Sequence, residues 1–537
     1  MPVHLVPVKD RSWCTVQYAS DVAPMDAVRN QPSIYIKGIY EDRLWQPYTI
    51  PRPQIAMNTS RKHELEEGSS SGPAPKKKVQ QTTTKVNART DAPPNLLQQI
   101  KSQHLPQIKG LLVELDQCLD NAGIDENLYN TRWYQHNDQV TRMLCDGLED
   151  LEDIAFAQIG TVRGSSLGRG SASISKAGVV YLTPDEYEEF AKDPSNLIKP
   201  IVIPDQPSIK PETVDKNFIE TLKFSCARGE IIVQDPGLPI TDENGKQVSS
   251  YGSWPTKDVL ERLEQGAAKP LTNDRKGLPI NLLDLEDLKL NPEPAFLMDQ
   301  RYKLLSLCDK RDEADKIQQA AKRAKLPNPT PNPGKKHKIV GRFCDICACQ
   351  RFTIFAQRGC YSGPHCDFLN GTWVQCLTGL KLWIVFPPTG DKAVDDEERR
   401  QFEKQGSDWI PEVGRGQIIV LRPGDLLLMP PGSIIPHAPL TIENCLMVGG
   451  MYWDNNTVIP TIRNLRWILE NPDVSNERNL VQYLSILDKL HAIVKGHSEF
   501  FANGEDVEEF MAEFEKEFGL TKQVLMDARK AANITAK

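Results

Sequence analysis

Several common routes to an assignment are closed by what this chain has little of. It contains no apolar run of about 18 residues or more, the length a membrane-spanning helix needs, and its first residues, MPVHLVPVKDRSW, lack the apolar core of a signal peptide. Positive charge is not in excess: 64 Lys and Arg face 72 Asp and Glu, a formal net charge of −8, so no global basic field draws the chain to nucleic acid. There is no direct nucleic-acid motif either. Cysteine is sparse, 12 in 537 residues without a regular framework, which predicts free thiols in a reducing compartment. No second C-x-x-C accompanies Cys344-x-x-Cys347-x-Cys349, and structural zinc needs four ligands, so buried thiols are favoured over a zinc site. The Gly/Ser run at 161–175 lacks the G-x-x-x-x-G-K-[ST] of a phosphate loop and reads as a flexible loop. What remains is an ordinary globular composition, 39% hydrophobic and 25% charged, on a chain long enough for roughly two to four domains.

Histidine is also scarce, at nine residues, yet two of the nine frame one stretch. His365 and Asp367 sit at i and i+2, so in an extended chain an imidazole and a carboxylate face the same side. An H-x-D triplet alone is weak, and its context gives it weight. A long apolar strand, VQCLTGLKLWIVF, follows with a single charge, Lys381, and PGDLLLMPPGSIIPHAP then supplies His437. Two His and one carboxylate with open positions form the facial triad of a non-haem Fe(II) oxygenase. An ammonium among Leu380, Leu382, Trp383, Ile384 and Val385 is costly to bury unless paired, and the carboxylate of a small dicarboxylate cosubstrate would pair it. The simpler alternative is that Lys381 snorkels to a solvent-facing edge.

These residues resemble the JmjC family, 2-oxoglutarate oxygenases that include histone lysine demethylases and protein hydroxylases. The family pattern T-x-x-H-x-D, G-x-K-x-x-x-x-x-P-P, P-x-G…H-A, G-G is met by Ser362-Gly-Pro-His365-Cys-Asp367, Gly379-Leu-Lys381 with Pro387-Pro388, Pro431-Gly432…His437-Ala438 and Gly449-Gly450. The closest likeness is to the plant-homeodomain-associated demethylase branch, without a visible reader domain, and it covers roughly 300–460. The resemblance implies iron held by His365, Asp367 and His437, and Fe(II), 2-oxoglutarate and O2 as cofactor and cosubstrates. It implies that Lys381 and Ser362, the latter in place of the usual Thr, hold the far carboxylate of 2-oxoglutarate, with Thr372 near a position that faces the cosubstrate in some relatives. Two features depart from the branch: Val374 stands where its demethylases carry a Tyr, and the loop from Gly432 to His437 is longer.

The expected fold is α+β, a double-stranded β-helix (jelly roll of the cupin kind) flanked by N- and C-terminal helices. Strands are expected near 351–357, 372–386, 417–421, 425–429 and 445–453, with a polar insert at 390–409. Residues 1–57 carry no recognisable chemistry, and 58–94 read as a disordered linker. In that linker Pro75-Lys76-Lys77-Lys78-Val79 is either a nuclear-import signal or a solvated charge run. Residues 95–160 read as helical with interruptions at Pro106 and at 121–123, 161–299 as a mixed α/β entry, 300–460 as the barrel, and 461–537 as helical. Thr183-Pro184 and Thr256 are read as helix starts and Gly266 as a stop. Lys335, Lys336 and Lys338 lie in a Pro/Asn-rich loop ahead of the barrel, most simply a solvated loop.

The functional expectation is a protein hydroxylase or lysine demethylase acting on a protein or peptide, with a histone tail as the family default. The location is nuclear or cytoplasmic, with the nucleus favoured, and the helical regions offer a homodimer contact. The alternatives are a weak or inactive scaffold in a chromatin or regulatory complex, and a cupin using another metal, whose chemistry would not need Lys381.

Overall fold

The computed structural model describes residues 5–7, 14–16, 96–122, 126–144, 178–206, 217–222, 230–245, 248, 250–286, 288, 290–291, 293–309, 349–411, 415–476 and 483–531. The linker at 58–94 with its lysine run, the 161–175 loop, Lys335, Lys336, Lys338, Cys344 and Cys347 lie outside the described residues. The chain divides into two compact units, Met1–Asn87 and Ala88–Lys537. In the first, β1 (Leu5–Pro7) and β2 (Cys14–Val16) pair antiparallel.

The second unit is built on a mostly antiparallel ten-stranded sheet. Its strands are β3 (Val180–Tyr181), β4 (Ile201–Ile203), β5 (Glu230–Gln234), β6 (Tyr251–Pro255), β7 (Asn281–Glu286), β8 (Phe352–Ala356), β9 (Thr372–Val385), β10 (Gln417–Leu421), β11 (Leu426–Met429) and β12 (His437–Met451). They run in the order β3-β4-β11-β9-β12-β8-β7-β5-β6, with β10 also on β9 and only β3 and β4 parallel. Strands from 180–286 therefore belong to the same sheet as the expected barrel, and the boundary drawn near residue 300 does not divide the sheet.

The two long strands organise the rest. Along β9, 13 of 14 residues are buried, so the usual in–out alternation of polarity vanishes. The reason is that both faces are covered: Val374 and Cys376 enter one apolar cluster, Trp373 and Leu377 another. β9 pairs β11 through Thr372–Gln375 and β10 through Lys381–Val385, with β12 on its other side throughout. Gly379, at φ +78°, lies between these pairings, and a Cβ there would meet Asn444 O at 1.9 Å. Only glycine fits so sharp a bend this close to a neighbouring backbone. β12 answers with register shifts between Thr441 and Met447. Two bent strands that change partners midway are compatible with a jelly-roll core. β12 begins at His437 and not near 445: its first residues are held by β9, which short-range sequence pattern does not reveal.

Helices surround the sheet. α1 (Leu96–Ala122) runs straight through Pro106, against the expected break. A proline removes one helical hydrogen bond, but Leu105, Ile108, Leu111, Leu112 and Leu115 all bury here, and burial of each is worth roughly 1.5–3 kcal/mol. α1 is clamped to the core by Glu114, which takes both Arg358 guanidinium nitrogens at 2.7 and 3.0 Å. α2 (Arg132–Leu144) follows, then α3 (Pro184–Phe190), capped by Thr183 in a full capping box with Glu186 as read from sequence. In α4 (Thr256–Gln265) the N-cap is Pro255 rather than Thr256, which lies inside the first turn, and Gly266 ends it at φ +72°. The 390–409 insert forms α5 (Lys392–Gln405). At the C-terminal end, α6 (Val458–Glu470), α7 (Tyr483–Gly496) and α8 (Val507–Ala531) pack together, and His491 stacks on Phe518 while bonding Glu515 at 2.8 Å. Among the described residues no helix is long and apolar enough to cross a membrane.

Candidate metal centre

His365 ends the chain segment that runs beside the first half of β12. Tyr361 bridges Leu440 and His365 bridges His437, the latter through two backbone hydrogen bonds of 3.0 and 2.9 Å. This pairing sets the two imidazoles side by side, with ring centroids 4.3 Å apart. Asp367, just past the bridge, brings its Oδ1 to 3.7 Å from His437 Nε2. One ligand atom from each of the three residues lies within 4.8 Å of the others, and they are the one such group of three His, Cys, Asp or Glu among the described residues.

The outer atoms of this group are committed and the inner ones are free. His365 Nδ1 lies 2.7 Å from Gly363 O, and His437 Nδ1 lies 3.1 Å from Ile435 O. A carbonyl only accepts, so each Nδ1 carries the proton and each Nε2 keeps its lone pair, the tautomer that ligates a metal. His437 Nε2 is buried without a hydrogen-bond partner. Trp383 stacks on the His437 ring at 5.2 Å and 26° and fixes its plane. Burial, with the neighbouring His437 adding to it, pushes His365 down to about 3, so it stays neutral through most of the acid range. Two neutral imidazoles and a carboxylate suit a first-row divalent metal and fit Fe(II) with positions to spare.

Lys381 is 3% exposed, which excludes the snorkelling alternative. No ion pair to it is found among the described residues. Burial lowers its pKa, against the opposing effect of the Cys445, Cys360 and Cys376 thiols. Two of those thiols are themselves suppressed: burial pushes Cys360 up to about 12, and Cys376 is raised by its 3.8 Å contact with Cys445 and by burial. Ser362 is buried, its N–H donating to Pro439 O at 3.1 Å on the strand that carries His437. Thr372 opens β9 with its hydroxyl buried and unpartnered, and no hydrogen bond joins it to Lys381 or to the three-residue group. Val374 is core, opposite Gly449 and Leu427. Cys349 is half-buried and not in a disulfide.

Sequence reading passed over the residue that holds the two ligand loops in place. Asn370, at φ +55°, donates Nδ2 to Ser433 O at 2.7 Å, and its Oδ1 accepts from Gly432 N at 2.8 Å and from Asn464 Nδ2 at 3.0 Å. It thereby ties the Asp367 loop to the loop before His437 and to α6. Trp453 Nε1 donates to Leu369 O at 2.8 Å alongside. The Asn370-Gly371 dipeptide, a turn signal just after the H-x-D triplet, is what could have found it.

No family model matches the chain. Among curated proteins it is 35% identical over 130 residues to the KK-1 biosynthesis cluster protein D of Curvularia clavata, covering 24% of this chain and 12% of that protein. It is 30% identical over 105 residues to the JmjC domain-containing histone demethylation protein 1 of Caenorhabditis elegans, covering 19% of this chain and 10% of that protein. It is 33% identical over 106 residues to the lysine-specific demethylase 2A of Xenopus tropicalis, covering 19% and 9%. The chain thus spans only 9–12% of the length of these relatives.

Proposed function

We propose that this chain, a relative of the JmjC-domain proteins, is an Fe(II)- and 2-oxoglutarate-dependent oxygenase on a double-stranded β-helix, acting as a protein hydroxylase or lysine demethylase. The observation that carries the reading is a juxtaposition on one strand pair. His437, which gathers His365 and Asp367 around its free inner nitrogen, and the buried Lys381, with no ion pair among the described residues, share the β9–β12 ladder. One end suits a metal, and the other suits an anion.

His365, Asp367 and His437 would hold the iron, and Lys381 and Ser362 the far carboxylate of 2-oxoglutarate. Bound iron with 2-oxoglutarate and dioxygen supplies oxidation of a substrate C–H bond, which ends as an alcohol in hydroxylation or as released formaldehyde when the carbon is an N-methyl. The chain's own part is positioning. The Gly363 and Ile435 carbonyls keep both imidazoles in the ligating tautomer, Trp383 fixes the His437 plane, and the apolar walls of β9, β10 and β12 keep water from Lys381. The substrate class is a protein or peptide. A histone tail, and with it a nuclear site of action, follows from what two of the relatives are named for.

Succinate formation from 2-oxoglutarate under air with Fe(II), in wild type, His365→Ala and Lys381→Ala, tests the reading without a known substrate. Turnover in wild type that is lost in both variants is expected. Absence of both iron binding and turnover in wild type would overturn the oxygenase in favour of a scaffold.

A further inference from the structure

Three residue pairs step along the β9–β12 ladder from the metal group inward: Val385 with His437, Trp383 with Pro439, and Lys381 with Thr441. Directly opposed residues of an antiparallel pair project to the same face of the sheet. Trp383 stacks on His437, so this face is the one that carries the candidate site, and Thr441 shares it with Lys381. Thr441 is completely buried, and its Oγ1 has no hydrogen-bond partner. Its backbone is fully engaged: the N–H donates to Cys360 O and the carbonyl accepts from Gly359 N, both at 2.8 Å. The hydroxyl is therefore the one unused polar group of the residue.

An unmatched buried hydroxyl is destabilising, and valine would occupy almost the same volume without that cost. Beside it stands Lys381, a buried group that can only donate and that has no ion-pair partner among the described residues. Two neighbouring buried donors without an acceptor match a carboxylate, which offers about four lone-pair sites and neutralises the ammonium. We propose that Thr441 is a positioning residue for the far carboxylate of the dicarboxylate cosubstrate, donating its Oγ1–H to one carboxylate oxygen while Lys381 pairs with the group. This rests on the reading of Lys381 given above. The cradle then draws on three neighbouring stretches of chain: β9 through Lys381, β12 through Thr441, and the segment before His365 through Ser362.

The test is a calorimetric titration of the Mn(II)-loaded 537-residue chain, compared among wild type, Thr441→Val, Thr441→Ser and Lys381→Met. The ligands are 2-oxoglutarate and 2-oxopentanoate, which has the same chain length and lacks the far carboxylate. Thr441→Val is expected to weaken 2-oxoglutarate binding about tenfold or more, the scale of a hydrogen bond to a charged group. Thr441→Ser should restore most of it. Binding of 2-oxopentanoate and of Mn(II) itself should be the same in wild type and both Thr441 variants, which a merely structural role for the hydroxyl would not produce. Unchanged 2-oxoglutarate affinity in Thr441→Val overturns the proposal, as does an equal loss for both ligands. If wild type binds 2-oxoglutarate and Lys381→Met does not, the cosubstrate reading stands whatever Thr441 does. If wild type does not bind it, the cosubstrate reading falls and this inference falls with it.

Discussion

At the His437 end of the β9–β12 ladder, polar side chains are satisfied on their outer side and free on their inner side. At the Lys381 end, an ammonium and a hydroxyl are buried with no ion pair and no hydrogen-bond acceptor found for them among the described residues. The first arrangement costs the fold little, because neutral imidazoles tolerate burial and backbone carbonyls take their N–H groups. The second is expensive, because a buried cation loses its hydration without a compensating charge. The comparison separates two kinds of preparation for a ligand. The metal end is prepared by geometry, whereas the Lys381 end is prepared by electrostatic deficit and works against stability until an anion arrives.

The largest effect should come from breaking the geometric end. His437→Ala removes a ligand and should lower metal affinity by more than about a hundredfold, beyond the 10–100-fold typical of losing only an outer partner. Equilibrium dialysis with Fe(II) under anaerobic conditions, or with Mn(II), measures it, and retained affinity would show that the three residues do not form the site. Asn370→Ala comes next, since it strips the three hydrogen bonds that tie the two ligand loops to each other and to α6, and leaves buried partners unmet. A loss of about 2–4 kcal/mol in urea unfolding is expected, with weaker metal binding alongside.

At the other end the sign reverses. Lys381→Met replaces an unpaired buried ammonium with an apolar chain of similar length and should stabilise the ligand-free protein by about 1–3 kcal/mol while abolishing 2-oxoglutarate binding. A destabilised Lys381→Met protein would mean that the cation already has its counter-charge. The smallest effect is the dependence on acid. His365 is held neutral down to about 3, against 6.5 for the free side chain. Between these values the unfolded chain binds a proton that the folded chain refuses, so stability falls as pH drops through that window and the loss is complete below it. Urea midpoints at pH 7 and pH 5 should show this decline, and it should be shallower in His365→Gln.

The sequence pointed to the candidate site more clearly than to the fold around it. His365, Asp367, Lys381 and His437 stood out because rare residue types stood in an apolar setting, whereas the bend that requires glycine at 379 appeared only in the structure. Thr372 carried no such signal, and the structure gives it no bond to the others. The helix through Pro106 and the start of β12 at His437 were misread from local propensity, because tertiary burial and strand pairing outweigh it there.

Taken alone, the sequence determined which chemical groups are available: two imidazoles, a carboxylate, one ammonium in an apolar strand, and turns of Gly and Pro that force that strand into a sheet. These follow from composition and from a two-residue period, both local properties. Only the tertiary structure decided that Thr441 stands opposite Lys381, that Asn370 ties the two ligand loops together, and that strands from 180–286 extend the same sheet. Those facts depend on register between segments far apart in the chain, and register is set by the whole core packing at once.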